Sequence, residues 1–341
     1  MRRPETSRDV AAADSVRSAR PPGLSWEWSP AVLGALYALP AALVVIDDRS
    51  RGLALAVGVL PGAIIGLAPT RRARLATVVL GASIGVPMFV GGLLAGVPVI
   101  AVASVAILGV VSALLAARSR YGQIVMTLSL PMVGVGLSYS DIATAAGLAA
   151  LMVLGSLFAC LVSMLWPERP ASRRPTPGGP TIDYGIRLGA AGATAAAIGF
   201  ALDLEHVGWA CAAALLVMRP TAEMQRLRSV GRIVAVAAGA LAGIALVRLS
   251  PPAAVYSLAV IATIAGAAGT HRSHWYVTPA FTTFLVFLLL LYAQPETAAA
   301  RFNERLLETM LGVALAYAYG LALPALMHRL HGSGSRTPTG A

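Results

Sequence analysis

The sequence contains no lysine, and only two of its 341 residues are cysteine. Without lysine, neither a P-loop ending in Gly-Lys-Ser/Thr nor a lysine Schiff base can form in this chain. Cys160 and Cys211 lie inside apolar runs, where we expect them to act as small buried hydrophobic residues. We therefore predict no disulfide, no metal site and no cofactor, and no nucleophile–base arrangement indicates an enzyme.

Charged residues are also scarce, at 12% of the chain, whereas 57% of the residues are hydrophobic. Soluble domains contain about 25% charged residues, so the mean hydropathy of +0.75 is typical of a chain surrounded by lipid. The net charge of +11 comes from arginines in short segments between apolar runs rather than from a separate basic domain. The composition predicts an all-α polytopic membrane protein that does not bind nucleic acid.

Crossing a bilayer takes about 20 apolar residues, and the sequence offers 12 candidate runs. The first six runs lie near 30–46, 52–68, 75–96, 97–117, 121–139 and 142–166. The other six lie near 185–202, 207–219, 230–249, 252–269, 275–293 and 306–327. The sequence therefore predicts about 12 transmembrane helices in two sets of six.

The arginines follow the positive-inside rule when 12 spans are assumed. Of the 26 arginines, 21 fall in segments assigned to the cytosol, and only Arg49, Arg51, Arg248, Arg301 and Arg305 fall outside. One span more or fewer would destroy this division. We therefore expect a multi-pass protein of the plasma (inner) membrane with both termini in the cytoplasm.

A duplication is predicted by recurring residues in the two sets. Arg74, Gly81 and Gly85 recur after 158 residues as Arg232, Gly239 and Gly243. Because each set has an even number of spans, the copies would be parallel repeats. We expect a disordered cytosolic leader at 1–29, the first repeat at 30–167, a Pro- and Arg-rich linker at 168–183, the second repeat at 184–327 and a disordered tail at 328–341.

The second set resembles the fusaric acid resistance protein-like family, which includes bacterial aromatic acid exporters. The resemblance lies in VGWACAAALLVMRP (207–220), RLRSVGRIVAVAAGALAG (226–243), THRSHWYVTPAFTTFLV (270–286) and RFNERLLETMLGVALAYAYGLALP (301–324). It covers about 181–326 and implies an integral membrane transporter domain. The first set looks like a degenerate copy that keeps Arg74, Gly81, Gly85, Gly155 and Pro167 but lacks a counterpart of Trp209.

Two pairs of interrupted spans are the candidate positions for a transport path, because broken helices expose backbone dipoles to a substrate. One pair is Pro61-Gly62 in the second run and the end of the eighth run at Pro220. The other is Pro131 in the fifth run and Pro279 in the eleventh. Tolerated kinks that bind no ligand are the alternative interpretation.

The polar candidates flank these interruptions. Guanidinium groups suit carboxylates and indoles suit aromatic rings, so the substrate-path candidates are Arg74, Arg219, Arg232, Arg272, Trp209, His274 and Trp275. The proton-coupling candidates are Asp203, Glu205, His206 and Glu308. Alternatively, the arginines only orient the helices, the aromatic residues form an interfacial belt, and residues 296–308 form a surface helix with salt bridges at i,i+3 spacing.

These features lead to three functional hypotheses. The first is a secondary transporter that exports small organic, including aromatic, acids with the proton gradient. The second is a passive anion channel, since plant aluminium-activated malate transporters look like relatives of this family. The third is a membrane scaffold that transports nothing. Membrane lipid and a small organic anion are the expected partners, and a homo-oligomer is left open.

Overall fold

A computed structural model describes residues 24–333 except for 169, 171–178, 272, 274–276 and 292–297. The described residues form only helices, and they confirm the predicted all-α membrane class. The first half contains α1 (Trp28–Asp47), α2 (Arg49–Ile65), α3 (Arg71–Arg74), α4 (Ala76–Ala95), α5 (Pro98–Arg118), α6 (Arg120–Ile124), α7 (Leu130–Gly136) and α8 (Ile142–Ser163). The second half contains α9 (Ile182–Ala201), α10 (Gly208–Val217), α11 (Ala222–Arg248), α12 (Ala253–Gly269), α13 (Val277–Leu291), α14 (Ala298–Tyr317) and α15 (Leu323–Ser333).

Three groups of helices continue one another, so the 12 predicted runs correspond to 12 helical rods in the described residues. The short α3 precedes α4, a π-helical turn at Val125–Ser129 joins α6 to α7, and a second π-helical turn at Ala318–Ala322 joins α14 to α15. Among the described residues, six rods are long and apolar enough to cross a membrane by length and composition. They are Trp28–Asp47, Arg71–Ala95, Pro98–Arg118, Ile142–Ser163, Ala222–Arg248 and Ala299–Met327.

Several helices begin where a short polar side chain caps the free backbone N–H groups of the first turn. The Asp48 carboxylate accepts a hydrogen bond from the backbone N–H of Arg51 at 3.0 Å, which starts α2 directly after α1. The hydroxyl of Thr70 accepts from Ala73 N–H, and the carboxylate of Asp141 accepts from Thr144 N–H. These caps fix where the helices begin between apolar runs.

Two hydrophobic cores hold the rods together, and each takes helices from both halves of the chain. The first core is formed mainly by α1, α2, α12 and α13, with Tyr37, Ile264 and Phe287 among its buried side chains. The second is formed mainly by α5, α7, α9, α10 and α14. Because α1 packs along α12 and α5 packs along α9, the two halves interlock rather than stand side by side.

The loops collect at two ends of the bundle. At the end where α1 begins, called the proximal end, the backbone N–H of Glu27 donates to the carbonyl of Gly269, and Arg71 N–H donates to Glu168. At the opposite, distal end, Gly208 N–H donates to the hydroxyl of Ser138. These contacts place the α2–α3 and α12–α13 loops at the proximal end and the α9–α10 loop at the distal end.

Candidate functional site

A cavity of about 350 Å³ lies where α2 and α10 end near the proximal end of the bundle. It is called the proximal cavity here. Residues from α2, α10, α11, α13 and the α12–α13 loop line it: Ile64, Leu216, Val217, Arg228, Arg232, His271, Ser273, Thr278 and Pro279. The sequence candidates Arg232 and Pro279 thus share one cavity, and Ile64 follows the predicted interruption at Pro61-Gly62.

The lining combines charge with an apolar wall. Arg228 and Arg232 lie four residues apart on α11, so both guanidinium groups stand on one helix face. Ile64, Leu216 and Val217 supply aliphatic surface to the same lining. Since a planar guanidinium binds a carboxylate through two parallel N–H donors, this lining suits a small anion with an apolar body.

A backbone feature at the end of α2 lets the α12–α13 loop enter the cavity. Gly66 ends α2 with a φ of +73°, a left-handed conformation that glycine adopts without steric cost. A Cβ atom there would lie 3.1 Å from the imidazole of His271. Glycine at this position therefore allows His271 to pack against α2 and to line the cavity.

Arg219 lies beside the cavity in the loop that ends α10. Its side chain is only 9% exposed, and it donates a hydrogen bond to the carbonyl oxygen of Met218 at 2.6 Å. The hydroxyl of Tyr184 donates to the same oxygen at 3.1 Å. Burial lowers the pKa of Arg219. The charge of Arg219 also acts on the charge of Arg228. Arg219 thus adds positive potential next to the cavity without lining it.

Arg74 lies elsewhere and is bound entirely to the backbone. Its side chain is 1% exposed, and its guanidinium donates to the carbonyl oxygens of Ala68, Ser163, Trp166 and Pro167 at 2.6–3.0 Å. These bonds tie the start of α4 to the end of α8. They account for the burial of Arg74 without a substrate.

The predicted helix interruptions differ in form. Pro61 lies inside α2 without ending it, whereas Pro220 follows the end of α10. Pro279 occupies the first turn of α13, where its missing N–H is not needed. Pro131 follows the π-helical turn at Val125–Ser129, is buried in α7 and does not line the proximal cavity.

A group of charged side chains, called the distal cluster, links the α9–α10 loop to α14. Arg301 pairs with Glu205 and also with Glu304, whose carboxylate lies 3.3 Å from the guanidinium. Nδ1 of His206 lies 3.1 Å from the carboxylate of Glu304. Glu205, His206 and Glu304 offer possible metal-ligand atoms within 4.8 Å of one another, but Arg301 already supplies the positive charge there. Asp203, with a φ of +49°, is exposed in the same loop.

Trp209 joins the distal cluster to the interior. Its indole is 2% exposed and lies between the imidazole of His206, with ring centroids 4.1 Å apart, and the guanidinium of Arg305, 4.2 Å from the indole centroid. Trp209 is the sequence candidate for stacking on an aromatic substrate, but its indole is already covered by two side chains of this protein. Its flat faces hold His206 and Arg305 in fixed positions.

The buried face of α14 differs from the surface helix expected for residues 296–308. Arg301 and Glu304 do form the expected pair, but Arg305 and Glu308 do not, and they are 7% and 3% exposed. The Arg305 Nε and Nη1 atoms, both Glu308 carboxylate oxygens and the Thr309 hydroxyl are buried and have no hydrogen-bond partner among the described residues. The surface-helix interpretation is wrong for Arg305 and Glu308.

Two titratable groups of the distal cluster lie in the loop before α10. Burial lowers the pKa of His206 below its ordinary value, and the opposing effect of the Glu304 carboxylate is smaller. The hydrogen bond from Arg301 lowers the pKa of Glu205. Near neutral pH, His206 is therefore neutral and Glu205 is ionised.

Three sequence candidates, Arg272, His274 and Trp275, lie outside the described residues. Two residues that the sequence did not single out, Arg228 and Arg305, contribute to the sites. The helical spacing gave a signal for each, because Arg228 lies one turn before Arg232 and Arg305 lies one turn after Arg301. That signal is weak, since the same spacing is common on solvated helices.

The sequence profile of the fusaric acid resistance protein-like family matches residues 194–319. No curated protein matches the chain. The matched residues include α10 to α14, and hence most of the proximal cavity and the distal cluster. The match confirms, over residues 194–319, the resemblance stated from the sequence, and the long apolar helices support a polytopic membrane protein.

Proposed function

We propose that the protein is a secondary transporter that exports small organic acids, including aromatic acids, with energy from the proton gradient. The proximal cavity carries this proposal, because it pairs two guanidinium groups with an aliphatic wall. A carboxylate would bind Arg232 and Arg228, and the ring or chain of the acid would contact Leu216 and Val217. The proximal cavity has a volume of about 350 Å³, which suits a small ligand.

The distribution of arginines supports an orientation for this transporter. We place the proximal end, with Arg219, Arg228 and the cavity, at the cytosolic face of the plasma membrane, and both termini on the same side. Positive charge at this mouth would concentrate anions from the cytosol. Glu308 is the favoured proton carrier, because it is a buried carboxyl on a membrane-spanning helix with no hydrogen-bond partner among the described residues.

The direct test is uptake of labelled benzoate into inverted membrane vesicles with and without an uncoupler. We expect uptake that the uncoupler abolishes and that Arg232→Gln reduces by at least about tenfold. Arg226→Gln is the matched control, since Arg226 lies on the same helix but is exposed and does not line the cavity.

Two outcomes would contradict the proposal. A benzoate current that follows the voltage and ignores the proton gradient would indicate a passive anion channel. No uptake of benzoate or of a broader panel of acids would indicate that the protein does not transport organic acids.

A further inference from the structure

The second half of the chain contains a series of arginines that runs inward from the proximal cavity. Arg228 and Arg232 are separated by about 6 Å along α11, and Arg301 and Arg305 by about 6 Å along α14. Since α11 packs against α14, the charges of Arg232 and Arg305 act on each other where the two helices meet. This arginine series of Arg228, Arg232, Arg305 and Arg301 connects the proximal cavity to the distal cluster.

Arg305 has two buried nitrogen atoms, Nε and Nη1, without a hydrogen-bond partner among the described residues. Its guanidinium lies over the indole of Trp209, which provides a π face but no hydrogen-bond acceptor for Nε or Nη1. A buried guanidinium without acceptors is costly unless a ligand supplies them. By contrast, Arg301 is already paired with Glu205 and Glu304. The unpartnered N–H donors of Arg305 therefore lie between the proximal cavity and the ion pairs of Arg301 in the distal cluster.

We propose that Arg305 is a second anion-binding position, which receives the carboxylate of a small organic acid from Arg232. This inference rests on the proposed function and extends it from one cavity to a path with two binding positions. The donors of Arg305 hold the carboxylate, while the Arg301 pairs close the distal end. Passage to the far side then requires these pairs to open.

Glu308 competes with the anion for the N–H donors of Arg305. The two side chains lie three residues apart on α14, a spacing that permits an ion pair, although they form none here. The charges that act on Glu308 are those of Arg305 and Glu304 on α14 and of Glu205 from the α9–α10 loop. Ionised Glu308 would occupy the donors of Arg305, and protonated Glu308 would leave them to the anion.

The experiment uses the full-length protein and measures two quantities: benzoate binding to purified protein and benzoate flux in reconstituted vesicles. Arg305→Gln should retain benzoate binding in the proximal cavity within about threefold and lose at least about tenfold in flux. Arg232→Gln should lose both, and Arg226→Gln should lose neither. Arg305→Lys, which keeps the charge, should retain part of the flux.

The outcomes separate this inference from the proposed function. Wild-type protein that neither binds nor moves benzoate would overturn the proposed function. Wild-type flux in Arg305→Gln would overturn only the second position. A joint loss of binding, flux and thermal stability in both Arg305 variants would show that Arg305 is structural, which also overturns it.

A further comparison tests the competitor. Glu308→Gln, a permanently neutral mimic of the protonated acid, should lose proton-driven uptake. It should nevertheless keep benzoate exchange across the membrane, which needs no net proton movement, at high pH, where the exchange of the wild type declines. Glu308→Gln with the pH profile of the wild type would overturn the competition between Glu308 and the anion.

Discussion

The side chains of Arg74 and Arg232 have opposite environments although the two residues hold corresponding positions in the proposed repeats. Arg74 is buried and uses four of its N–H donors on backbone carbonyls, so it cannot offer a ligand the two parallel donors that bind a carboxylate. Arg232 lines the proximal cavity, and its Nε has no hydrogen-bond partner among the described residues. We infer that Arg74 serves the fold and that Arg232 serves binding, so the first repeat would lack a counterpart of the Arg232 site.

Arg74→Lys tests the structural half of this assignment. A lysine ammonium cannot reach all four carbonyls, so we expect the free energy of unfolding to fall by about 3 kcal/mol. Thermal unfolding in detergent would measure the loss. Arg72→Lys is the control, because Arg72 is exposed on the same short helix. An Arg74→Lys protein that melts with the wild type would show that the carbonyl contacts add little stability.

His206 predicts a pH dependence of stability. Its pKa is lowered in the folded protein because the imidazole is buried, whereas the unfolded chain binds the proton near the ordinary value of 6.5. The unfolded state therefore holds more protons below that value, and the free energy of unfolding decreases as the pH falls through this window. His206→Gln should weaken this decrease. Melting temperatures of the two proteins between pH 5 and pH 8 would measure it, and parallel curves would contradict it.

At the scale of helices, apolar runs predicted the 12 rods well but placed two of their starts too late. Runs were expected to begin at 230 and 306, whereas α11 begins at Ala222 and α14 at Ala298. Arg226, Arg228, Arg301 and Glu304 lower the hydropathy of these first turns, although they do not prevent helix formation. The buried polar face of α14 could not be predicted, because i,i+3 charge spacing does not reveal whether a helix face meets solvent or protein.

Close helix contacts made by glycine give a prediction at this scale. Gly189 on α9 faces α5 so closely that a Cβ atom would overlap the carbonyl oxygen of Ala106. Gly189→Val should push the two helices apart and reduce stability by about 1–3 kcal/mol. Gly147→Val on α8 is the control, since nothing lies within 4 Å of a Cβ atom there. Equal melting temperatures for both variants would contradict the tight α5–α9 contact.

For the whole molecule, helix pairing supports the proposed duplication. The first rod packs along the tenth (α1 with α12) and the seventh along the fourth (α9 with α5). Likewise, α2 packs on α8 as α10 packs on α14, and α4 packs on α7 as α11 packs on α13. Adding six to the number of each rod, counted around the 12 rods, turns each of these contacts into its counterpart. Parallel repeats related by a twofold axis would show this pattern. Runs that are apolar all round do not specify which helix faces another. The sequence therefore could not predict that α1 packs on the second half of the chain and α9 on the first.

The interlocked cores predict how the protein behaves when its chain is cut between residues 174 and 175, inside the linker expected at 168–183. The first core needs α12 and α13 from the second half, and the second core needs α5 and α7 from the first half. Each half expressed alone would expose the partner-binding faces of α1 or α9, whose glycines leave grooves that lipid fills less well. We therefore expect the two fragments to co-purify and to transport benzoate when expressed together, and to be degraded when expressed singly. Co-purification through an affinity tag on one fragment, with protease resistance of each fragment alone, measures both effects.

A stable, monodisperse single half would show that the halves fold independently. The contacts of α1 with α12 and of α9 with α5 would then join two folded halves rather than form their cores.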